Sequence, residues 1–473
     1  MYYLHFILKL NKFCRFYIVF CIYCFMNNFF YSLKWVHFVG VGGVSMSKLC
    51  AYTLKLGIKC TGSDSKNSNI IDKLKAAGAD ITIGENMANS RNADLVVYSS
   101  AIKNNHPELL CAKKSMERKD YLAMVAKNFD KIIAVSGAHG KTTTTAMIAW
   151  IFKVADKSFT AHIGGEFATT TDIGFGTGSE YFITEACEYS KSFLKLHPDI
   201  GVVLNVDYDH PDCYKSLKDT YLAFAMFMSQ SKAVIYNDEF DLLSNDKVDK
   251  TKTQLISYGS NNADFKASNV KVRSNFITFD ALKNNNLYGT YTLYTLNQVN
   301  IQCALAAISV CDLIGIDNDK IKMGLATFPG LKNRFQCLGI MTGGAKMIVD
   351  YAHHPKQITF AINSAYYNLP DDGDLIVLFE PHTYSRTKAL FNDFCRVLQG
   401  DWTTLIMPTY SAREKVEDGY DSMRLYMAIS KTSDHVVYVD GYEKAKEWLL
   451  KNAKVTDTIL CLGAGLDNEK LVY

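Results

Sequence analysis

A glycine-rich segment that ends in lysine and threonine is the part of this sequence best suited to phosphate chemistry. Gly137 and Gly140 precede Lys141 and Thr142, and the apolar run before them is typical of a buried strand. Backbone N–H groups of such a loop bind phosphate, the lysine adds charge, and the threonine hydroxyl can hold Mg²⁺. The usual pattern has one more glycine, whose place is taken here by Val135. An ordinary glycine turn before a helix is the alternative at this point.

A second glycine-rich segment near the start of the chain is typical of a nucleotide-binding turn. Gly40, Gly42 and Gly43 follow a strand-like run and precede a helix-like one. Ser45 occupies the place of the third glycine in the G-x-G-x-x-G pattern. Asp64 ends the next predicted strand, where a ribose-binding carboxylate would lie. The pattern does not choose among nucleotides, so a nicotinamide-dependent oxidoreductase is an alternative.

Acidic side chains and a histidine follow two predicted strands in the middle of the chain. Glu185 ends the run at 181–184, and Asp209 and His210 come shortly after the run at 200–204. The carboxyl ends of parallel strands share one edge of a sheet, so we expect these side chains to lie beside the phosphate loop. Carboxylate and imidazole groups there are suited to hold Mg²⁺ against the phosphates of ATP.

Length and composition indicate a multidomain α/β enzyme. A chain of 473 residues is too long to fold around a single hydrophobic core, so two or three domains are expected. A hydrophobic content of 48%, a charged content of 21% and 29 glycines are typical of soluble α/β enzymes. The net charge of +3 comes without a long basic block, which argues against nucleic acid as a partner. The 13 cysteines are scattered and odd in number, which favours free thiols in a reducing cytosol.

The first 34 residues differ from the rest. Basic residues precede the apolar run 16–25, which is too short to span a bilayer and has no small-residue cleavage site after it. We therefore expect no stable membrane insertion, and we interpret Met26 as the start of translation. Cys21 and Cys24 lie within the run without a second pair nearby, so we interpret them as a chance spacing rather than a zinc site.

The order of predicted strands and helices divides the chain into three α/β domains that follow an extension at 1–34. Strands and helices alternate over 35–127, which predicts a Rossmann-like domain. The range 128–330 predicts a central domain that carries the phosphate loop. A new alternation over 331–473 predicts a doubly wound C-terminal domain with polar groups after its strands.

Eight segments together resemble the Mur ligase family of peptidoglycan synthesis, most of all its members that join L-alanine to UDP-N-acetylmuramate. In family order, these segments are residues 37–44, 99–102, 137–144, 185–189, 209–210, 350–355, 381–387 and 412–415. The resemblance implies an α/β fold of three domains. These are an N-terminal Rossmann-like domain for the UDP-sugar, a central P-loop ATPase domain with a mainly parallel sheet, and a C-terminal Rossmann-like domain that closes over the site.

The resemblance implies a cytoplasmic ligase that uses ATP and Mg²⁺ to join L-alanine to UDP-N-acetylmuramate. The γ-phosphoryl group of ATP is transferred to the sugar's carboxylate, and the amine of L-alanine attacks the resulting acyl phosphate. Because an anionic carboxylate meets an anionic triphosphate, cations must neutralise both. The first glycine loop then serves the UDP-sugar rather than NAD.

Roles follow from the resemblance residue by residue. The expected ATP-binding residues are Gly137, Ala138, His139, Gly140, Lys141, Thr142, Thr143, Asn297, Asn300 and Asp350. The expected UDP-sugar residues are Gly40, Gly42, Gly43, Val44, Ser45, Asp64, Ser99 and Ser100. The expected metal ligands are Thr142, Glu185 and His210, and the expected catalytic residues are Lys141, His210, Arg334, His354 and Arg386.

Several positions depart from the family's pattern. Ala138 replaces a threonine, Leu296 replaces the histidine before Asn297, Val349 replaces an aspartate and Thr383 replaces a basic residue. None of these changes removes an expected metal ligand or catalytic residue, so we predict an active ligase. Three alternatives stay open at this point. They are a ligase that joins a preformed tripeptide to the same UDP-sugar, the nicotinamide-dependent oxidoreductase named above, and a catalytically weakened nucleotide-binding protein.

Overall fold

The computed structural model describes residues 29–169, 175–207, 213–244, 248, 253–273, 276–341, 343–411, 414 and 420–467. These residues form two compact units. The first unit holds the described residues up to Glu166 and those from 175 to Ser257, and the second holds 167–169 and the residues from Tyr258 onward. Among the described residues, no helix is both long and apolar enough to cross a membrane. Most of the predicted N-terminal extension lies outside them.

The N-terminal part of the first unit is a five-stranded parallel sheet with helical connections. Its elements are β1 (Trp35–Val39), α1 (Val44–Lys55), β2 (Lys59–Asp64), α2 (Asn69–Ala76), β3 (Asp80–Ile83), α3 (Met87–Asn92), β4 (Leu95–Tyr98), α4 (Pro107–Leu110), β5 (Ser115–Glu117) and α5 (Arg118–Ala126). The strand order is β3-β2-β1-β4-β5, so the order reverses beside β1. The crevice at the carboxyl ends of the strands at such a reversal is the usual ligand site. The first glycine loop, which follows β1, therefore lies at that crevice.

The rest of the first unit is a second sheet, which carries the phosphate loop. Its elements are β6 (Lys131–Ser136), α6 (Lys141–Val154), β7 (Phe159–His162), β8 (Phe175–Gly176), β9 (Tyr181–Glu185), a 3₁₀ segment (Tyr189–Lys195), β10 (Ile200–Val203), α7 (Leu217–Ser229), β11 (Ala233–Asn237) and β12 (Gln254–Tyr258). Strands β11, β10, β6, β9 and β7 are parallel neighbours in that order, and β8 pairs antiparallel with β7. Strand β6 therefore lies between β10 and β9, and both neighbours end beside the loop that follows β6.

Both glycine loops lead directly into helices. The apolar pattern alone predicts α1 from Lys48 and α6 from Ala146, but the two helices begin at Val44 and Lys141. The first turn of a helix has N–H groups without partners in the helix, and it can face a ligand or solvent instead of a core. Polar residues there interrupt the apolar pattern, so the sequence places both helix starts too late.

The second unit begins with three antiparallel strands and two helices. Its elements are β13 (Phe265–Val272), β14 (Ile277–Lys283), β15 (Asn286–Leu293), α8 (Asn300–Ile314) and α9 (Asn318–Ala326). Strands β13, β14 and β15 pair antiparallel in sequence order. Asn284 and Asn285 join β14 to β15 with φ angles of +50° and +67°, which is the conformation that a two-residue hairpin turn requires. The mainly parallel sheet predicted for the central domain therefore gives way to antiparallel strands in this part.

The C-terminal part of the second unit is a six-stranded sheet. Its elements are β16 (Gln336–Ile340), β17 (Lys346–Asp350), α10 (Pro355–Tyr366), β18 (Leu375–Phe379), α11 (Tyr384–Ala389), α12 (Phe391–Val397), β19 (Thr403–Ile406), α13 (Ser422–Ile429), β20 (Val436–Tyr438), α14 (Tyr442–Asn452) and β21 (Thr458–Leu462). The order is β16-β17-β21-β18-β19-β20, with only β16 antiparallel to its neighbour. This confirms the predicted doubly wound fold of the C-terminal part.

The strands beside the candidate site residues are buried along their length. All five residues of β18 and of β21 are buried, and so are all four of β10. Apolar strands that are buried on both faces are typical of parallel sheets covered by helices. Their burial fixes the position of each strand end, and therefore of the polar residues that follow it.

Candidate functional site

The phosphate loop joins β6 to α6 in a conformation that requires glycine. Gly137 has a φ of +143°, and a Cβ placed there would lie 2.9 Å from the Cβ of Leu204. Gly140 is the N-cap of α6 and has a left-handed φ of +85°. The half-buried Thr143 lies in the first turn of the helix. The loop therefore ends at the start of a 14-residue helix, where unpaired N–H groups favour an anion.

Asn205, which follows β10, holds the phosphate loop on both sides of His139. Its Oδ1 accepts a hydrogen bond from the amide of His139 at 2.8 Å, and its Nδ2 donates to the carbonyl oxygen of His139 at 3.0 Å. The amide of Ala138 donates to the backbone oxygen of Asn205 at 3.3 Å. The His139 ring lies 3.6 Å from the carboxylate of Asp207. The conformation of the loop therefore depends on the strand beside it.

Lys141 lies in this loop and is bound to Glu188. Its Nζ donates to both carboxylate oxygens of Glu188, at 2.9 and 3.1 Å, and to the backbone oxygen of Gly137. The side chains of Lys141 and Glu188 are only 15% and 4% exposed. Burial by itself would lower the pKa of Lys141, but the negative charges of Glu188 and Glu185 and the nearby Cys187 raise it. Lys141 is therefore protonated, and its hydrogen bonds to Gly137 and Glu188 fix its ammonium group within the loop.

Thr142 and Glu185 bring oxygen atoms together at the start of α6. The Thr142 hydroxyl donates to Glu185 Oε2 at 3.2 Å, and the amide of Gly164 donates to Glu185 Oε1. Glu185 pairs in register with Val135, so the carboxylate lies beside the end of β6. A carboxylate and a hydroxyl beside a phosphate-binding loop are the oxygen ligands that Mg²⁺ prefers. The two expected metal ligands that the structure describes therefore lie together, and His210 lies outside the described residues.

The first glycine loop is closed by Asp64. The amides of Gly40 and Val41 donate to the carbonyl oxygen of Ser63, and the amide of Gly42 donates to Asp64 Oδ2 at 2.8 Å. A Cβ on Gly42 would lie 2.9 Å from the same oxygen, so glycine is needed there. The structure thus shows the carboxylate of Asp64 bound to the loop itself. Its predicted contact with a ribose stays a prediction.

Among the expected UDP-sugar residues, two follow β4 and one directly precedes α1. Ser99 lies beside Gly40, since a Cβ on Gly40 would be 3.3 Å from the Cβ of Ser99. Ser100 is exposed. Gly43 is the N-cap of α1, and among the described residues no side chain caps the helix. The N–H groups at the start of α1 are therefore left for a ligand.

Ser45 and Lys48 lie on one face of α1. Ser45 contacts the end of β7, and Lys48 contacts the residues that follow β7. Ser45 Oγ lies 2.9 Å from Nε2 of His162 and accepts a hydrogen bond from Arg118 at 3.1 Å. Lys48 Nζ donates to the backbone oxygens of Ile163 and Gly165, the latter at 2.6 Å. Burial lowers the pKa of Lys48 to about 8, although Glu185 and Glu166 raise it.

His162 is uncharged at neutral pH. Burial and the positive charges of Lys48 and Arg118 lower the pKa of His162 to about 3. The neutral ring can therefore form a hydrogen bond with Ser45 without adding charge to the site. Ser45 thus gains a partner that a glycine at this position would not have.

In the second unit, Asp350 and Arg334 form one group at the end of β17. Asp350 accepts hydrogen bonds from the amides of Phe335 and Ala352, both at 2.7 Å. Burial raises the pKa of Asp350, while Arg334 and the two amides oppose that change. The guanidinium of Arg334 lies 4.5 Å from the centre of the Tyr351 ring. Asp350 therefore shapes the turn after β17, and its predicted contact with ATP stays a prediction.

Arg386 forms a second group with two histidines. Its Nη1 lies 3.2 Å from Nδ1 of His382, and the rings of His382 and His353 are 5.9 Å apart. Burial and the charge of Arg386 lower the pKa of His353 to about 3 and of His382 to about 4. The His382 ring also stacks on Tyr410 at 5.6 Å. Arg386 thus carries the positive charge of this group, and both histidines are neutral.

His354, Asn297 and Asn300 have structural partners. His354 is the N-cap of α10, and its Nδ1 accepts a hydrogen bond from the amide of Lys356 at 3.3 Å. Asn300 begins α8 and donates to Thr295 at 3.2 Å. Asn297 Oδ1 accepts from the amide of Val299 at 3.1 Å. The predicted catalytic role of His354 and the predicted adenine contacts stay predictions.

The sequence interpretation missed several residues of these groups. They are Lys48, Arg118, His162, Glu188, Asn205 and His382. Two of them had a usable signal, because Glu188 and Asn205 follow strand ends in the same way as Glu185. No local signal indicated Arg118 or Lys48, since their partners lie 73 and 115 positions away in the sequence.

Family models match the chain in three consecutive regions. They are described as Mur ligase family, catalytic domain, over residues 35–130; Mur ligase middle domain, over 135–311; and Mur ligase, glutamate ligase domain, over 333–465. The chain belongs to the Mur ligase family. Its fold is the three-domain Mur ligase fold with mainly parallel sheets, and the resemblance noted from the sequence is confirmed. The three matches favour a ligase over the oxidoreductase that the first glycine loop left open.

Curated relatives of this Mur ligase cover nearly its whole length. A UDP-N-acetylmuramate–L-alanine ligase of Clostridium perfringens is 37% identical over 444 residues, which is 91% of this chain and 95% of the relative. A ligase with the same name from Clostridium tetani is 37% identical over 93% of this chain and 97% of the relative.

Solved structures share the fold of this Mur ligase. The UDP-N-acetylmuramate–alanine ligase of Thermotoga maritima has a TM-score of 0.79 at 23% identity and covers 92% of this chain and 97% of that one. A murein peptide ligase of Psychrobacter arcticus has a TM-score of 0.65 at 22% identity, over 91% and 96%. At 23% and 22% sequence identity, these comparisons show a shared fold.

Proposed function

We propose that this Mur ligase is a cytoplasmic enzyme that joins L-alanine to UDP-N-acetylmuramate with ATP and Mg²⁺. The observation that carries the proposal is the group of Lys141, Thr142 and Glu185 at the start of α6. It combines a phosphate-binding loop, a cation and oxygen ligands for a metal within hydrogen-bonding distances. The 37% identity to ligases of this name, over more than nine tenths of the chain, supports the choice of substrates.

ATP phosphates would bind to the N–H groups of the loop from Gly137 to Gly140. Lys141 neutralises them, and for this its ammonium exchanges the carboxylate of Glu188 for phosphate oxygens. The exchange keeps the buried ammonium of Lys141 paired with an anion. The protonated state of Lys141, which its carboxylate neighbours favour, supplies the charge that phosphoryl transfer needs.

Thr142 and Glu185 would hold Mg²⁺, with His210 as a further expected ligand. The oxygen atoms of the first two fit the metal, as the Thr142–Glu185 contact at 3.2 Å brings hydroxyl and carboxylate together. Bound there, Mg²⁺ would neutralise the negative charge that develops on the phosphoryl group during transfer.

The first glycine loop would bind the diphosphate of the UDP-sugar. The start of α1 is free of a capping side chain, and its N–H groups favour an anion. Asp64, by binding the amide of Gly42, holds the loop in the required conformation. The positive charges of Arg334 and Arg386 in the second unit suit a carboxylate or a transferring phosphoryl group, because guanidinium forks bind such groups with two parallel hydrogen bonds.

The proposed reaction has two steps. A carboxylate oxygen of the UDP-sugar attacks the γ-phosphorus, the bond to ADP breaks, and an acyl phosphate forms. The amine nitrogen of L-alanine then attacks the acyl carbon, loses a proton and expels inorganic phosphate. Both steps move negative charge, so the fixed cations and helix N-termini are the groups with the largest expected effect on rate.

The proposal is tested by phosphate release from ATP. We expect release with UDP-N-acetylmuramate plus L-alanine, and none without either substrate. The tripeptide L-Ala-γ-D-Glu-meso-diaminopimelate replaces L-alanine in a parallel reaction. If phosphate is released with the tripeptide and UDP-N-acetylmuramate but not with L-alanine and UDP-N-acetylmuramate, the proposed amino-acid substrate is overturned in favour of a murein peptide ligase.

Lys141→Ala is the matched variant for this assay. We expect the rate of phosphate release to fall by about 10²–10³-fold, because one preorganised cation of the transfer site is removed. Binding of the UDP-sugar, measured by calorimetry, is expected to stay within about twofold, a small change on the affinity scale. Loss of UDP-sugar binding in this variant would contradict the assignment of the two glycine loops.

A further inference from the structure

The segment 162–166, which starts at the last residue of β7, is bound on one side by α1 and on the other by Glu185. Lys48 donates hydrogen bonds to the backbone oxygens of Ile163 and Gly165. Between these two residues, the amide of Gly164 donates to Glu185 Oε1. Three residues of backbone therefore connect the ammonium of Lys48 to the carboxylate of Glu185.

A second set of contacts holds the same segment. Ser45, three residues before Lys48 and so on the same face of α1, lies 2.9 Å from His162 at the end of β7. Lys73 of α2 lies 3.7 Å from the carboxylate of Glu166. The segment is thus held at its start, middle and end by residues of the N-terminal sheet's helices.

We propose that Lys48 is a positioning residue for the metal site. By binding the backbone oxygens of Ile163 and Gly165, it holds the amide of Gly164 against Glu185 and so sets the orientation of that carboxylate. The inference rests on the proposed function, in which Glu185 is a ligand of Mg²⁺. Residues that bind a metal ligand from behind orient it, and their loss weakens metal binding without removing a ligand.

The geometry at Gly164 explains why the segment must be held in place. A Cβ on Gly164 would lie 2.7 Å from Glu185 Oε1 and 3.0 Å from Oε2. The carboxylate therefore packs directly on the backbone, and its other side contacts Thr142 at 3.2 Å. A shift of the segment away from α1 would carry the amide off Glu185 and leave the carboxylate free to rotate.

The experiment measures metal binding without turnover. Binding of Mn²⁺ in the presence of a non-hydrolysable ATP analogue is followed by electron paramagnetic resonance. We expect Lys48→Met, which keeps the apolar stem and removes the donors, to weaken Mn²⁺ binding about tenfold. Lys48→Arg, which keeps charge and donors, should restore most of the affinity. The matched control is Lys55→Met, since Lys55 is exposed in the last turn of the same helix and should leave the affinity unchanged.

Two further readouts separate positioning from a structural role. The KM for Mg–ATP should rise with the Mn²⁺ dissociation constant, while kcat at saturating Mg²⁺ stays within about threefold, because the ligands themselves are intact. Binding of UDP-N-acetylmuramate should not change. If Lys48→Met does not fold, Lys48→Gln, which keeps one donor, is measured in its place and should weaken Mn²⁺ binding by a smaller factor.

The results that overturn this inference differ from those that overturn the proposed function. Wild-type Mn²⁺ affinity in Lys48→Met or Lys48→Gln overturns the role of Lys48, even if the wild-type enzyme releases phosphate as expected. So does a fall in kcat without any change in Mn²⁺ affinity. Absence of phosphate release by the wild-type enzyme overturns the proposed function, whatever the Mn²⁺ affinity of the variants.

Discussion

At the scale of single residues, the buried pair of Lys141 and Glu188 is the most consequential feature of the phosphate loop. The ammonium and carboxylate are 2.9 Å apart and nearly excluded from solvent. Removing one partner of a buried ion pair is costly because the other charge stays buried without compensation. Glu188 therefore stabilises the loop while no nucleotide is bound, and phosphates can take its place.

Glu188→Gln should destabilise the free protein and increase its response to ATP. We expect the free energy of unfolding to fall by about 3 kcal/mol, because Lys141 loses its carboxylate partner. Added Mg–ATP should then raise the melting temperature more than in the wild type, since its phosphates supply the missing charge. Thermal unfolding with and without Mg–ATP measures both effects.

The control for this prediction is the ion pair of Lys232 with Asp199, in which Lys232 faces solvent. Lys232 is 82% exposed, so Lys232→Met should leave the melting temperature unchanged, as expected for a surface ion pair. Equal melting temperatures and equal ATP responses for Glu188→Gln and the wild type would show that the pair has no such role.

At the scale of secondary-structure elements, the end of β10 shapes the loop that follows β6. The two strands are parallel neighbours, with Val203 opposite Ser136. Asn205 then binds the amide and the carbonyl group of His139 at 2.8 and 3.0 Å. The oxygen and the nitrogen of one side-chain amide thus both bind the loop, so the loop conformation depends on β10 as well as on β6.

Asn205→Ala should loosen the phosphate loop and leave the sheet folded. Two lost hydrogen bonds of about 1 kcal/mol each should lower the free energy of unfolding by about 2 kcal/mol. We expect the KM for ATP to rise about tenfold, with a smaller change in the KM for the UDP-sugar, because the first glycine loop has its own support in Asp64. Steady-state kinetics and urea unfolding test these effects.

Asn92→Ala is a matched control for Asn205→Ala. Asn92 is exposed and donates a hydrogen bond to the backbone of its own helix, at Ala88. This variant should keep the wild-type KM for ATP. A similar KM in Asn205→Ala would contradict the role of Asn205 in the loop.

At the scale of the whole molecule, each unit contains a histidine that is uncharged at neutral pH. Burial and neighbouring cations lower the pKa to about 3 for His162 in the first unit and to about 3 for His353 in the second. In the unfolded chain, a histidine has an ordinary pKa near 6.5. Between these values the unfolded state binds more protons than the folded one, so stability falls as the pH falls.

Acidification below pH 6.5 should therefore destabilise both units. For each of the two histidines, the free energy of unfolding should fall by up to about 1.4 kcal/mol per pH unit between pH 6.5 and the folded pKa. We expect His162→Gln and His353→Gln each to reduce this slope. Urea unfolding between pH 7 and pH 4.5 measures it.

His435→Gln is the control for the pH dependence. His435 is exposed, and its removal should leave the slope as it is in the wild type. Slopes in His162→Gln and His353→Gln that match the wild type would show that carboxylates alone account for the acid sensitivity.

The sequence by itself determined the family, the order of the three domains and most of the strands. Strand-like runs of the sequence at 80–83, 233–237, 375–379 and 458–462 coincide with β3, β11, β18 and β21. They were predictable because buried parallel strands consist of short apolar runs that can be recognised locally. The polar residues after these runs mark the strand ends, and the phosphate loop and Glu185 follow from that rule.

The tertiary structure alone decided which partners the site residues have. Asp64 binds the amide of Gly42, Glu188 binds Lys141, and Lys48 reaches the backbone beside Gly164. These contacts join residues that lie between 22 and 117 positions apart in the chain. A local pattern carries no information on them, because each depends on how strands and helices from distant parts of the chain pack together.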